Sequence, residues 1–150
     1  MSIYFYKVGD PYGCFSNFSP HGIHLGGQDW QTVEHYYQAH KFWGTAHADL
    51  MCQIQHAPTP EAAAKLGRDR AIACCRPDWS IAKIEVMREA VYTKFLTHLD
   101  IQAVLLATEN EAIVEDSPTD YFWGCGAQKT GQNHLGEILM SVRQILRDRI

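Results

Sequence analysis

The segment WQTVEHYYQAHKF occupies residues 30–42 and predicts the first helix of a chain in which helices dominate. Thr32 is a residue type that commonly caps a helix N-terminus, and Gly44 is a typical C-terminal stop. These two signals bound a helix from about Val33 to Trp43. Its apolar and aromatic stripe, which is expected to pack against the core, consists of Val33, Tyr36, Tyr37 and His40.

Helical periodicity and capping signals continue along the rest of the chain. The Thr59-Pro60-Glu61 run combines a cap, a first-turn proline and an early acid, so it predicts a helix start. The predicted helices after the first one are 47–55, Thr59 to Gly67, 80–98, a short helix capped by Asp100 and ending at 106, and a final helix that begins at Leu135.

Strand signals are few. Residues 3–8 are rich in aromatic residues and predict a short strand, a weak strand pair flanks Gly26-Gly27, and residues 112–115 predict an extended segment. Strands and helices do not alternate as they do in a parallel α/β fold. The fold class predicted is therefore mainly α with a minor β element, in a single compact domain over residues 1–150.

Composition excludes several classes of protein. The 150 residues are 46% hydrophobic and 20% charged, an ordinary globular balance, and no apolar run is long enough to cross a bilayer. Without the basic start of a signal peptide, we expect a cytoplasmic protein with no membrane partner. A net charge of −4 argues against coating nucleic acid, but not against recognising a single nucleotide. The five cysteines and eight histidines lack ligand spacing, so we expect no metal and no cofactor.

One group of polar residues that could carry chemistry lies on the first helix. Glu34, Gln38 and Lys41 are four and three residues apart, so all three project from one helix face. One interpretation is a solvated face with a helix salt bridge. The other is a pocket in which a carboxylate and an amine tune each other's pKa.

The second group lies between Asp120 and Gly136, where four glycines occur within thirteen residues just before the last helix. Free amides and the positive dipole end at a helix start favour phosphate or another anion. The alternative is a flexible surface loop.

Aromatic residues form the third group. Trp79, Trp123, Phe15 and Phe18 stand in or beside loops, where they suit stacking on a base, although each could instead fill the core.

Taken together these segments resemble the YbiA-like family, also called NADAR. The resemblance covers nearly the whole chain: Phe15-Ser16-Asn17-Phe18, residues 30–42, Gly67-Arg68, Trp79 with Met87, Lys94-Phe95, and residues 120–140 with Arg143. Residues 125–130 depart most from the family pattern. The resemblance implies a mostly helical YbiA-like fold and N-glycosidase activity.

Two substrate classes are attached to this family. One is the phosphoribosyl-aminopyrimidine intermediates of early riboflavin synthesis, which are split into ribose 5-phosphate and a base. The other is ADP-ribose attached to guanine in nucleic acid, with a DarT-like toxin partner encoded in the same operon. Both present a ribose C1–N bond with phosphate nearby. The resemblance therefore implies a phosphorylated ribosyl-base, an ADP-ribosyl small molecule or a modified nucleotide in DNA as the partner.

The resemblance also implies roles for individual residues. Cleavage of a C1–N bond builds positive charge on the ribose, which a carboxylate stabilises, so Glu34 and Asp120 are the candidates. Lys41 either holds phosphate or attacks C1 to form a Schiff base. Substrate-binding candidates are Phe15, Asn17, Phe18, Arg68, Trp79, Trp123, Gly124, Asn133 and Gly136. The alternatives to an N-glycosidase are a non-catalytic module that binds ADP-ribose or NAD and a structural interaction protein.

Overall fold

The computed structural model describes residues 1–150 and divides into two units. The first unit comprises Met1–Ser19 with Phe95–Ile150, and the second comprises Pro20–Lys94. In chain order the strands and helices are β1 (Ser2–Phe5), β2 (Ile23–Leu25), β3 (Gln28–Trp30), α1 (Val33–His40), α2 (Ala48–Gln55), α3 (Pro60–Cys74), α4 (Trp79–Thr97), α5 (Leu99–Leu106), β4 (Ala112–Glu115) and α6 (His134–Asp148).

Six helices and four short strands confirm the predicted mainly α class with a minor β element. The extent of residues 1–150 as one domain stays a prediction. None of the six helices combines the length and apolar character needed to span a bilayer.

The second unit begins with the predicted hairpin, in which β2 and β3 pair antiparallel with Ile23 opposite Trp30. Gly26 and Gly27 have φ of 65° and 78°, the left-handed conformations that a two-residue hairpin loop requires. Trp30 is buried, and its ring meets Tyr36 edge-on with centroids 5.4 Å apart. The hairpin is therefore packed against α1.

Helix α1 begins where the sequence predicts. The Thr32 side chain accepts a hydrogen bond from the His35 amide at 3.1 Å, as an N-cap should. The helix ends at His40 instead of Trp43, because the amides of Lys41 and Phe42 bond to carbonyls three residues back. This tightening of the last turn precedes Gly44, whose φ is 75°.

Helix α3 corrects the prediction of a stop at Gly67. Its start is confirmed, since Thr59 Oγ1 accepts the Ala62 amide at 3.0 Å, but the helix continues to Cys74. Gly67 lies against Gln38, and a Cβ at position 67 would overlap the Gln38 side chain. This glycine allows α3 to approach α1 closely and does not end the helix.

In the first unit, β1 and β4 pair in parallel, from Ser2 opposite Ala112 to Phe5 opposite Glu115. Strand β1 is shorter than the predicted 3–8 because the chain turns at Lys7, whose amide bonds to the Asp10 carboxylate at 2.8 Å. Helix α5 starts at Leu99 with His98 as N-cap, so the prediction that Asp100 caps it is wrong; Asp100 lies in the first turn. The apolar stripe of α6 is buried, except for Ile145.

His35 is a buried histidine of the second unit whose surroundings disfavour its charged form. It is fully buried, with Nε2 3.1 Å from the Ala57 carbonyl and Nδ1 2.7 Å from Thr32 Oγ1. Burial lowers the pKa of His35, and the Ala57 hydrogen bond and the Glu61 charge oppose this only in part. Below about pH 6.5 His35 is protonated in the unfolded chain but stays neutral in the folded chain. The free energy of unfolding therefore decreases as pH falls.

We therefore expect urea unfolding between pH 8 and pH 5 to show stability falling below about pH 6.5, with a contribution from His35 of at most about 1.4 kcal/mol per pH unit. The variant His35→Gln keeps a donor for Ala57 but cannot titrate, so its pH slope should be flatter than that of the wild type. Equal slopes would contradict the assignment. Since burial also lowers the pKa of His40, some slope should remain in the variant.

Candidate active site

Glu34, Gln38 and Lys41 form a buried polar row on α1 and its C-terminal cap. Their residues are 6%, 3% and 9% exposed, and Gln38 Nε2 donates to Glu34 Oε2 at 2.7 Å. Every residue from Val33 to Ala39 is buried as well. The solvated-face interpretation is therefore wrong, and the arrangement is that of a carboxylate and an amine withdrawn from water.

The Lys41 amine lies in an environment that favours its neutral form. Burial lowers the pKa of Lys41; the Glu34 charge opposes this, while the positive charges of Arg68 and Lys83 add to it. Lys41 Nζ lies 5.7 Å from the centroid of the Tyr37 ring. A lysine with a lowered pKa provides more neutral amine at neutral pH, which is the form that attacks carbon.

The connection between α3 and α4 fixes the end of α1. The Arg76 amide donates to the Lys41 carbonyl at 2.7 Å, and Arg76 Nη1 donates to the His40 carbonyl at 3.5 Å. The Asp78 carboxylate holds the Arg76 guanidinium through two bonds of 2.6 and 2.8 Å. A cation at the last carbonyls of a helix also complements the helix dipole. No sequence motif marks Arg76, so this contact could not be predicted from the sequence.

Aromatic rings extend the site within the second unit. Trp79, at the start of α4, is half-buried and has its ring centroid 5.1 Å from that of Tyr37. Tyr37 therefore lies beside both Trp79 and the Lys41 amine. Arg68 is exposed on α3 and acts on Lys41 through its charge. Of the predicted residues, the second unit brings together Glu34, Lys41, Arg68 and Trp79.

In the first unit, Asp120 shapes the glycine-rich loop. Its Oδ1 accepts the amides of Phe122 and Trp123 at 2.9 and 2.8 Å. Gly124 follows at a crowded position, where a Cβ would lie 2.8 Å from the Glu115 carbonyl oxygen. Trp123 is half-buried and meets Phe122 edge-on with centroids 4.8 Å apart. Catalysis by Asp120 stays a prediction.

The expectation of free amides at the start of α6 is wrong. The amides of Asn133, His134 and Leu135 donate to the carbonyls of Gly124, Phe122 and Trp123 at 3.0, 3.0 and 3.1 Å. These donors tie the helix start to its own loop and do not provide an empty phosphate cradle.

The Asn133 side chain is also engaged. Its Oδ1 accepts the Glu115 amide and its Nδ2 donates to the Ile113 carbonyl, each at 2.9 Å. A Cβ at Gly136 would overlap Ile113 and Asn133, so this glycine allows the approach. Substrate contacts by Asn133, Gly124 and Gly136 stay predictions.

Phe15 is a core residue. It is 1% exposed, and its ring meets those of Phe5 and Phe95 with centroids 5.8 and 6.0 Å apart. The expectation that Phe15 stacks on a base is corrected accordingly, because neighbouring rings cover it. Asn17 and Phe18 are half-buried in the loop that follows, and their substrate contacts stay predictions.

Comparisons with known proteins agree with this fold. The NADAR domain family model matches residues 4–147. The chain is 60% identical over 148 residues to "N-glycosidase Npun_R5314" of Nostoc punctiforme, covering 99% of this chain and 94% of that protein. It is 40% identical over 144 residues to "N-glycosidase YbiA" of Escherichia coli, covering 96% and 88%. The NMR structure of E. coli YbiA superposes with a TM-score of 0.87 at 39% identity, covering 99% of this chain and 88% of that one.

A third relative has a different name. The chain is 44% identical to "Riboflavin biosynthesis protein PYRR, chloroplastic" of Zea mays, but spans only 24% of that longer protein. The class to which these similarities assign the chain is that of enzymes that hydrolyse N-glycosyl bonds. The chain belongs to the NADAR domain family, as the resemblance implied.

The contacts of Asn133 lead to a prediction about stability. Because Asn133 has φ of 53°, the variant Asn133→Gly removes the side chain without backbone strain. Losing two bonds to strand β4 should lower the free energy of unfolding by about 1–3 kcal/mol, measured by urea denaturation.

Glu109 is a matched control, since it is exposed and has φ of 55°. Glu109→Gly should leave stability nearly unchanged. If Asn133→Gly were as stable as Glu109→Gly, the side-chain bonds of Asn133 would not support the loop.

Proposed function

We propose that this N-glycosidase cleaves the C1–N bond between a ribosyl phosphate and a base, with Glu34 and Lys41 as the reacting groups. The observation that carries the proposal is the buried row of Glu34, Gln38 and Lys41. Phosphoribosyl-aminopyrimidine intermediates of early riboflavin synthesis are the first substrate candidate, because a maize relative is named for that pathway. ADP-ribose on guanine presents the same ribose C1–N bond and is the second, which would make a DarT-like toxin a partner.

Glu34 would stabilise the positive charge that develops at C1. As the bond to the base breaks, the ribose becomes oxocarbenium-like, and a carboxylate withdrawn from water interacts strongly with that charge. Asp120 would be a second carboxylate for this purpose. A module that only binds a phosphorylated ligand gains nothing from a buried carboxylate, which repels the anion. Burial of Glu34 therefore favours catalysis over ADP-ribose binding alone.

Lys41 would act as a nucleophile. In this route the neutral Nζ bonds to C1 as the bond to the base breaks, the base leaves with a proton, and ring opening gives a Schiff base. Water then adds to C1 and releases the ribose phosphate and the free amine. The lowered pKa of Lys41 and the carboxylate of Glu34 on the same helix face support this role over simple phosphate binding.

Other residues would hold the substrate. Arg68 is exposed and acts on Lys41 through its charge, which suits binding of a phosphate beside the amine. Trp79, next to Tyr37, offers an aromatic face for the base. Trp123 and Phe18 remain stacking candidates from the first unit.

The test of the proposed function is mass analysis after incubation with a phosphoribosyl-aminopyrimidine and, separately, with DNA that carries ADP-ribosylated guanosine. We expect the first to yield ribose 5-phosphate and a free base; the second would yield ADP-ribose. Glu34→Gln, which keeps size but removes charge, should lower kcat at least about a hundredfold. Binding of either compound without turnover would instead identify a binding module.

The role of Lys41 can be tested separately. Lys41→Arg keeps the charge but cannot form a Schiff base, so kcat should collapse while substrate still binds. Borohydride should trap a covalent adduct on the wild type, seen as a mass increase that the variant lacks. Lys83→Arg is the control, since it retains both the charge and Lys41. An active Lys41→Arg enzyme without a trappable wild-type adduct would show that Lys41 only binds phosphate.

A further inference from the structure

Gln38 is the buried amide between the two proposed reacting groups. It follows Glu34 by one helical turn and precedes Lys41 by three residues. Its Nε2 donates to Glu34 Oε2 at 2.7 Å, and both side chains are almost completely buried. No proposed step uses Gln38 itself, so its burial requires a separate explanation.

The orientation of this amide has a cost. Gln38 Oε1 is buried and has no hydrogen-bond partner. A buried acceptor without a donor loses its hydration and gains nothing in exchange. Turning the amide over would point Oε1 at the oxygen of Glu34, where two acceptors repel when Glu34 is ionised. The observed orientation therefore keeps the donor on Glu34 at the expense of an unsatisfied carbonyl.

Gly67 provides the space for this orientation. A Cβ at position 67 would overlap the Oε1, Cβ and Cδ atoms of Gln38. The Gln38 side chain thus lies between Glu34 of its own helix and the backbone of α3. Alanine at position 67 would displace the amide while leaving both Gln38 and Glu34 in the chain.

We propose that Gln38 is a positioning residue that holds Glu34 in its ionised form and in a fixed orientation, with Gly67 providing the space that this requires. The inference rests on the proposed catalytic role of Glu34 for its effect on activity. A hydrogen bond donated to a carboxylate stabilises the charged form, because the protonated acid accepts that bond less strongly. Without the donor, Glu34 retains its proton to a higher pH.

The direct test follows the titration of the Glu34 carboxyl carbon by ¹³C NMR in glutamate-labelled protein, with the signal assigned by its loss in Glu34→Gln. Gln38→Met keeps the volume and removes the donor, and Gly67→Ala displaces the amide indirectly. In both variants the titration midpoint should rise by about one pH unit, equivalent to a tenfold change in the proton-binding constant of Glu34. The control Gln53→Met, on the exposed face of α2, should titrate as the wild type does.

The kinetic test is the pH profile of kcat/KM. The acid limb should move to higher pH in Gln38→Met and Gly67→Ala, whether or not the loss of a fixed Glu34 orientation also lowers the plateau above it. A residue with only a structural role would instead lower activity by one factor at every pH. Each variant is assayed at a temperature below its own unfolding midpoint. If Gln38→Met does not fold, the pH profile of Gly67→Ala tests whether the amide holds Glu34 in its ionised form.

The proposal is overturned if the Glu34 midpoint is unchanged in the folded variants, or if the pH profile keeps its shape. These outcomes differ from failure of the proposed function. An inactive wild type, or a fully active Glu34→Gln, would remove the catalytic role, whereas the NMR titration would still test whether Gln38 holds Glu34 as a carboxylate.

Discussion

The hydrogen bond from Gln38 to Glu34 offsets part of the cost of burying polar groups on α1. It joins two polar side chains on a helix that is buried on nearly every side, although helices of this length usually keep one face in water. A buried carboxylate is tolerated only when donors or charges compensate its lost hydration. Gln38 is one such donor.

The two ends of α1 are held by contacts that do not involve the side chains of Glu34, Gln38 and Lys41. At one end Thr32 caps the helix, and His35 bonds to Ala57 as a neutral ring. At the other end Arg76 binds the carbonyls of His40 and Lys41, and Asp78 restrains the arginine. Both ends are thus fixed without using the side chains of Glu34, Gln38 and Lys41. Burial of the Lys41 amine lowers its pKa, and the nucleophilic role proposed for Lys41 depends on this burial.

Sequence signals predicted structure where the cause is local. The Thr32 and Thr59 caps and the Gly26-Gly27 hairpin depend on neighbouring residues, and all three were confirmed. Sequence signals failed where the structure depends on a contact between residues far apart in the chain. The parallel pairing of β1 with β4 joins residues more than a hundred positions apart, and no periodicity reports it. The site shows the same limit, because helical spacing alone left Glu34, Gln38 and Lys41 equally consistent with a solvated face. Their burial against other elements decided between the two interpretations.

The glycines show most clearly why local signals fall short. Gly67 was predicted to end a helix, and Gly136 was grouped with a phosphate-binding loop. In the structure both lie within helices, and at both a Cβ would overlap the amide of another side chain, Gln38 or Asn133. One of these amides holds the proposed catalytic carboxylate and the other ties a loop to strand β4. The absence of a side chain at each position therefore makes room for a buried amide. Glycine is needed there because of the size and position of Gln38 or Asn133, and the residues next to the glycine in sequence do not indicate this need.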